Sequence, residues 1–310
     1  MSAMVRRGLL AAVLFLGFAA GASAQQAAAR STARLQGFAT PEAAATALAE
    51  AVRTNDRQAI AAMWGANWRD FVPGSDNDVQ RRRGIFLEAW DENHKIIMSG
   101  DARAQIEVGK AGWTLPIPLA KDGAEWRFDV AAGIKEMVFR RIGHDEASVI
   151  QTLLAIVDAQ ADYAAGDPMK AGAPAYARRL LSSPGKKDGL YWDAKPGEPQ
   201  SPLGPAVAKA QADGQSPDGH YGYYFRLLYS QGPAATGGKR DYLVNGRMIG
   251  GFGVIAWPVR YGNTGVMTFI VNQDGVVYQQ DLGPQTAEKA GVIASFNPDK
   301  GWVKADMAPP

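Results

Sequence analysis

Cysteine is absent from all 310 residues. That excludes a disulfide framework and attachment of a lipid through an N-terminal cysteine, and leaves buried apolar area to hold the fold. Histidine occurs three times, as His94, His144 and His220, far apart and without H-x-x-x-H or H-E-x-x-H spacing, so no metal site is expected. Charge of one sign is lacking too, because 33 Lys and Arg face 31 Asp and Glu. A near-neutral chain without a basic block has no electrostatic footprint for nucleic acid. The one local run, Arg81-Arg82-Arg83, leads into Gly84-Ile85-Phe86-Leu87 and reads as a solvated helix face. Only one long apolar run exists, and it lies at the start.

That run extends from Leu9 to Ala20, preceded by Arg6 and Arg7 and followed by Ala22-Ser23-Ala24. Positive residues, an apolar stretch and a small-x-small motif form the order of a cleavable secretory signal, with cleavage expected between Ala24 and Gln25. About 12 apolar residues fall short of the roughly 20 that a membrane-spanning helix needs, so stable insertion after cleavage is not expected. Without Arg6 and Arg7 the mature chain holds 31 basic and 31 acidic residues and is neutral. Its 286 residues suffice for two ordinary domains, expected to be soluble and periplasmic or secreted.

Residues 25–37, rich in Ala and Gln, read as a flexible leader. Thr40-Pro41-Glu42 opens a helix to about Arg53: a capping hydroxyl, a proline suited to the first turn, and an acid at the positive end. A second helix starts near Asn55-Asp56 and stops at Gly65. A third starts at Ser75-Asp76 and carries Val79, Ile85, Phe86, Ala89 and Trp90 as one broad apolar face. The period then becomes alternating. Ile96–Met98, Ala104–Val108 and Trp113–Leu119 read as strands, and Lys121-Asp122-Gly123 turns into Glu125–Phe128. From Ile134 a second unit is expected. Asp145 is read as the cap of a helix bearing Val149, Ile150, Leu153, Leu154, Ile156, Val157 and Tyr163. Residues 166–219 read as connecting loops with one short helix near 203–212. Strands follow at Tyr221–Tyr229, Asp241–Val244, Ile249–Trp257, Val266–Val271 and Val276–Gln279. By the period-two rule Tyr221, Tyr223, Phe225, Leu227 and Tyr229 share a core face, leaving Tyr224 and Arg226 on the opposite one as an interaction face.

The fold class expected is α+β. Helices and a curved antiparallel sheet over 38–133 are followed, over 134–310, by a long helix packed on an antiparallel sheet. The order of elements over 38–130 resembles the cone-shaped fold of nuclear transport factor 2 and the ketosteroid isomerases. The Asp145-to-Tyr163 helix, the Gly222-Tyr223-Tyr224-Phe225 strand and the stretch from Ala256-Trp257-Pro258 to Asp274-Gly275 resemble the head of type IV pilins and pseudopilins. Pilins carry an apolar half-helix directly before this segment. It is missing here, so filament assembly by that route is not implied. The whole chain resembles an exported bacterial family known only as domain-of-unknown-function family 2950. The matching stretches are Trp113–Leu119, Ser182-Ser183-Pro184-Gly185-Lys186-Lys187-Asp188-Gly189-Leu190-Tyr191-Trp192, His220–Phe225 and Val244–Gly251. This resemblance implies no activity.

Several motifs fail on geometry. Ser183-Pro184-Gly185-Lys186 fits S-x-x-K and Ser75-Asp76-Asn77 fits S-D-N, but Pro-Gly blocks the helix that chemistry needs, the order is reversed, and K-T-G is missing. Gly251-Phe252-Gly253-Val254-Ile255-Ala256 lies in a strand rather than at a helix start, so it is no dinucleotide fingerprint. Thr236-Gly237-Gly238-Lys239 has Pro233 and Arg240 where a P-loop needs Gly and Ser/Thr. Glu88, Asp91 and Glu92 read as solvated carboxylates on a helix. The tryptophans Trp64, Trp68, Trp90, Trp113 and Trp126 read as core filling. The alternative has Trp68, Trp90, His94 and Trp113 lining a ligand pocket.

The function expected is therefore a non-catalytic binding or assembly protein of the periplasm, without a cofactor, whose partner is an envelope protein or the cell wall. The alternative is a small-molecule carrier or an isomerase- or hydrolase-type enzyme using the aromatic pocket. A cell-wall hydrolase is a weaker third reading, since no nucleophile or metal set supports it.

Overall fold

The computed structural model describes residues 34–72, 74–170, 172–211 and 216–306. The signal, the Ala24–Gln25 cleavage pair and most of the leader expected from the sequence lie outside the described residues. The chain divides into two compact units after Glu136, each built on an open antiparallel sheet, and the fold class is α+β.

In the first unit the helices begin where short polar side chains can satisfy the free amides of a first turn. Helix α1, Pro41–Thr54, is capped by Thr40, whose hydroxyl accepts from the Ala43 amide at 3.1 Å. Helix α2, Arg57–Trp64, is capped by Asp56 on the Gln58 and Ala59 amides, and Gly65 ends it. A single turn, α3 (Trp68–Phe71), precedes α4, Asp76–Glu92, where Ser75 and Asp78 form a reciprocal capping box. The broad apolar face expected on α4 is narrower than the pattern suggested. Trp90 is buried, but Ile85 is 61% exposed, because five residues place it about 140° around the helix from Trp90.

The first sheet contains β1 (His94–Ser99), β2 (Arg103–Val108), β3 (Trp113–Thr114), β4 (Leu119–Asp122) and β5 (Glu125–Phe128). Its order is β1-β2-β4-β5, with β3 also on β2. The single strand expected over Trp113–Leu119 is split, since Pro116 and Pro118 have no amide to give to a ladder. Leu48, Met63, Ile106, Leu119 and Trp126 are buried in this unit. The leader expected to be flexible is already held at its end. Gln36 donates to the Ala62 carbonyl at 2.9 Å, and Phe38 exchanges two backbone hydrogen bonds with Trp126.

Helix α5 runs over Val130–Gly166, far longer than the helix expected from Asp145. Asp129 takes the capping role instead, accepting the Ala132 amide at 3.0 Å, while Asp145 lies inside the helix. The helix runs through Gly133 and Gly143, each of which costs only about 1 kcal/mol, offset by neighbouring turns and packing.

The second unit places Val149, Leu153 and Ile156 of α5 in one core cluster with the inner face of a second sheet. That sheet comprises β6 (Tyr223–Leu228), β11 (Gly253–Pro258), β12 (Met267–Asn272), β13 (Tyr278–Asp281) and β14 (Val303–Lys304), in the order β14-β13-β12-β11-β6. Between β6 and β11 lie β7 (Ser230–Gln231), β8 (Arg240–Asp241), β9 (Leu243–Val244) and β10 (Arg247–Met248), which pair β7 with β8 and β9 with β10. Among its described residues the loop region before β6 contains one short helix, α6 (Pro205–Ala208). Tyr223, Phe225 and Leu227 are core, as alternation predicts, whereas Tyr221 and Tyr229 fall outside the strand and are exposed.

The opposite face of this sheet is not open. A further helix that the sequence pattern did not reveal, α7 (Thr286–Val292), covers it with a second apolar cluster that includes Ile255, Trp257, Ile270, Ala290 and Phe296. Gly251 precedes β11 and Gly253 begins it, so this glycine pair belongs to a sheet, not to a helix start. The Thr236–Gly238 segment is tied down by the buried Gln231, whose amide donates to the Thr236 and Gly238 carbonyls. No described helix is long and apolar enough to cross a membrane.

Candidate functional site

The aromatic residues singled out in the first unit occupy different environments. Trp68 and Trp90 are buried, at 8% and 7% exposure, while Trp113 is 47% exposed on β3. His94 opens β1 and stacks on Trp90 with ring centroids 3.9 Å apart, and its Nδ1 lies 2.9 Å from the Trp90 carbonyl oxygen. His94 and Trp113 both pair with Val108, so the three stand in one row across β1, β2 and β3. The nearby carboxylates are engaged. Asp91 is bonded to Arg53 at 2.6 Å and Glu92 to Lys110 at 2.7 Å, and these partners hold both acids below the usual carboxylate range.

In the second unit Arg226 turns toward α7. It donates to the carbonyls of Ala290 and Ile293, both at 2.8 Å, and lies over the Trp257 ring. A cation that bonds the last carbonyls of a helix complements its negative end. Arg226 and Tyr224 are half-buried rather than presented on a free face, and burial pulls the Arg226 guanidinium below its ordinary value.

The arrangement with room for a ligand lies beside these residues, in the loops that the sequence reading treated as connections. Its first support is Gln160 of α5, which is fully buried. The Gln160 side-chain oxygen accepts the Ala177 amide at 2.7 Å, and its NH2 donates to the Ala177 carbonyl at 3.1 Å. The next residues, Arg178 and Arg179, are exposed. The Tyr191 amide then donates to the Leu180 carbonyl and the Ser182 amide to the Tyr191 carbonyl, both at 2.9 Å, which closes the intervening residues into a loop.

Within the loop, Ser183 gives its amide and its hydroxyl to Asp188, at 2.7 and 2.9 Å. Gly189 gives its amide to the Ser182 hydroxyl at 3.0 Å. A side chain at Gly189 would place Cβ 2.6 Å from the Ser182 nitrogen, so only glycine permits this approach. The Tyr163 hydroxyl donates to the Lys187 carbonyl at 2.6 Å, and burial with nearby Asp188 and Asp167 pushes that phenol up to about 12. Ser183 therefore serves a turn through Pro184-Gly185 and has no helical Lys186 beside it, as the failed S-x-x-K geometry required.

Burial alone would raise the Asp188 carboxyl, but the Ser183 amide and hydroxyl, with Arg179 nearby, bring it below the ordinary aspartate range. A lowered native value means that the contribution of Asp188 is present above about pH 4 and is lost as pH falls through that native value. Hydrogen exchange at the Ser183 amide should therefore accelerate on acidification relative to its intrinsic rate. At pH 7, Asp188→Asn should speed it about tenfold and abolish the pH dependence. Unchanged Ser183 protection in that variant would contradict this account of the loop.

The folded loop walls a cleft of about 720 Å³, lined by Arg178, Arg179, Ser182, Tyr191, Lys209, Arg226 and Tyr229 among others. A smaller space of about 300 Å³ shares Leu181–Pro184 and Tyr191 and reaches Lys186, Lys187 and Trp192. The larger cleft has four cations along its lining against one carboxylate, Asp193, which already accepts a hydrogen bond from the Tyr191 hydroxyl. Volumes of roughly 300–1,000 Å³ are those of small-molecule sites. The adjacent Arg178-Arg179 pair was the signal available in the sequence. It passed unnoticed because it sits among Pro, Gly and Ser residues with no regular period. No group of three or more His, Asp or Glu that could hold a metal ion occurs among the described residues.

Together these features define a two-unit α+β protein with a basic cleft in its second unit. Over residues 35–305 the chain matches the family described as "Protein of unknown function (DUF2950)", and it belongs to that family. No curated protein and no solved structure matches it.

Proposed function

We propose that the protein is an exported, non-catalytic binding protein of the cell envelope and that the cleft beside Arg178 is where it takes its ligand. The observation that carries this reading is the fixed wall. Gln160, Asp188 and Gly189 hold the loop by hydrogen bonds within the chain, so little ordering cost is left for binding. Export is supported by the order of charge, apolar run and Ala22-Ser23-Ala24 at the start of the sequence. An envelope protein or a cell-wall fragment remains the partner proposed.

We also infer a cone of the nuclear transport factor 2 type for the first unit, supported by its order of capped helices and antiparallel strands. A pilin-head relationship for the second is supported by the long helix buried against the β6-β11-β12 face.

Hydrogen exchange on the mature chain, with and without a low-mass periplasmic extract, tests the reading. Protection confined to residues 178–193 and 209–211 is expected. If the extract protects other regions only, or none, the cleft is not the binding site. Native material from a periplasmic fraction should begin at Gln25.

A further inference from the structure

We propose that the ligand of the cleft is a small polyvalent anion, one carrying two or more phosphate or carboxylate groups. This inference rests on the cleft being the binding site and names the chemistry of what fills it.

Several arginines outside the cleft find acids: Arg53 meets Asp91, Arg57 and Arg69 meet Asp76, and Arg81 meets Asp78, all within 4 Å. The cleft instead gathers four cations along one lining. Among the described residues the Arg178 side chain has no hydrogen-bond or ion-pair partner, and neither does the Lys209 ammonium. Arg179 has only a distant contact, 3.9 Å to Asp188, whose carboxylate is already taken by Ser183. The one carboxylate in the lining, Asp193, is bonded to Tyr191 rather than to any of these cations.

The positions of the cations are set from three directions. Arg178 follows the Ala177 backbone that Gln160 clamps, and the Tyr229 hydroxyl donates to the Arg178 carbonyl at 3.0 Å. Lys209 follows α6, and its amide bonds to the Pro205 carbonyl at 3.1 Å. Like charges gathered with few counter-ions among the described residues repel one another and raise the local potential, which an anion relieves. A planar guanidinium favours two oxygens of one phosphate or carboxylate, and a lysine supplies a point charge for a second group. One monovalent anion would leave part of this array unmatched.

Calorimetric titration of the mature chain with pyrophosphate and with citrate tests the assignment, with maltotriose as a neutral probe. Both anions should bind, and more weakly as salt is raised from 20 to 150 mM. Arg178→Gln and Lys209→Gln should each weaken binding by about tenfold, and the double variant by more. Lys186→Gln, on the rim of the smaller space, should leave it unchanged. Both target side chains are exposed, so the variants should keep the wild-type melting temperature, which circular dichroism checks.

Binding of pyrophosphate alone, or of citrate alone, narrows the oxygen chemistry within the class and supports the proposal. Anion affinity that is indifferent to the double variant overturns it. So does maltotriose protecting the 178–193 amides when neither anion does, although the cleft then stands as the binding site. Absence of binding by all three probes, joined to absence of cleft protection by the extract, overturns the site as well.

Discussion

Replacing Glu146 with alanine is expected to destabilise the second unit by about 3–4 kcal/mol and to lower its melting temperature by roughly 8–12 °C. One carboxylate oxygen there accepts three donors: the Val266 amide at 2.7 Å, the Met267 amide at 2.9 Å and the Tyr223 hydroxyl at 3.1 Å. The phenol shares its proton with the Met267 carbonyl, 2.9 Å away. Tyr223 is fully buried, and burial with the Glu146 charge drives its hydroxyl well above the ordinary value, so it remains a donor at every working pH. Removing Glu146 strands two amides at the start of β12, and each unsatisfied buried donor costs about 1–3 kcal/mol.

Glu146→Gln keeps an oxygen at the same place and should lose less than half as much. The Tyr223 ring is seated by Gly265, where a Cβ would fall 2.0 Å from the hydroxyl oxygen, so Gly265→Ala should disturb the same junction. Calorimetric melting of Glu146→Ala, Tyr223→Phe and the double variant measures the coupling. Additive losses would show that the contact does not join helix to sheet energetically.

Gln160→Ala should destabilise by about 2–4 kcal/mol and open the 176–182 segment before the rest of the unit melts. The side-chain amide imitates a backbone partner, and both polar groups of the buried Ala177 depend on it. Gln160→Glu should not rescue the loss, because a carboxylate can accept from the Ala177 amide but repels its carbonyl. Hydrogen exchange at Ala177 reports the opening directly. A melting temperature within 2 °C of wild type, or an Ala177 amide no faster than before, would show that the segment is held by its other contacts. Arg178 follows the clamp, so anion affinity should fall together with Ala177 protection, a coupling that a merely local effect would not produce.

Much of the first unit was legible in the sequence because its signals are local. Thr40, Asp56 and Ser75 announce helix starts through the amides they bond, and Lys121-Asp122-Gly123 announces a hairpin. Strands β6, β11, β12 and β13 of the second sheet were placed from alternation and turn residues to within a few positions, whereas the two-residue β14 was not. Helix α7 was not, since a short helix carrying Glu288 and Lys289 has no period distinct from a surface loop. The true start of α5 was missed because Asp129 stands directly after a strand, where its capping role depends on the turn that follows. Arg226 was placed on the correct face of its strand, but nothing in a period of two tells whether a helix from 60 residues later will cover that face.

By itself, then, the sequence determined the α+β class, the capped helices, the strand alternation and the lack of disulfide cross-links, all of which follow from residue type and near-neighbour spacing. Tertiary structure alone decided the cleft. Its wall is a loop shaped by Gln160, Tyr163 and Asp188, its rim joins Arg178 to Lys209 and Tyr229, and these residues are distant along the chain. Unpaired charges become a site only when folding brings them together and leaves their counter-ions elsewhere.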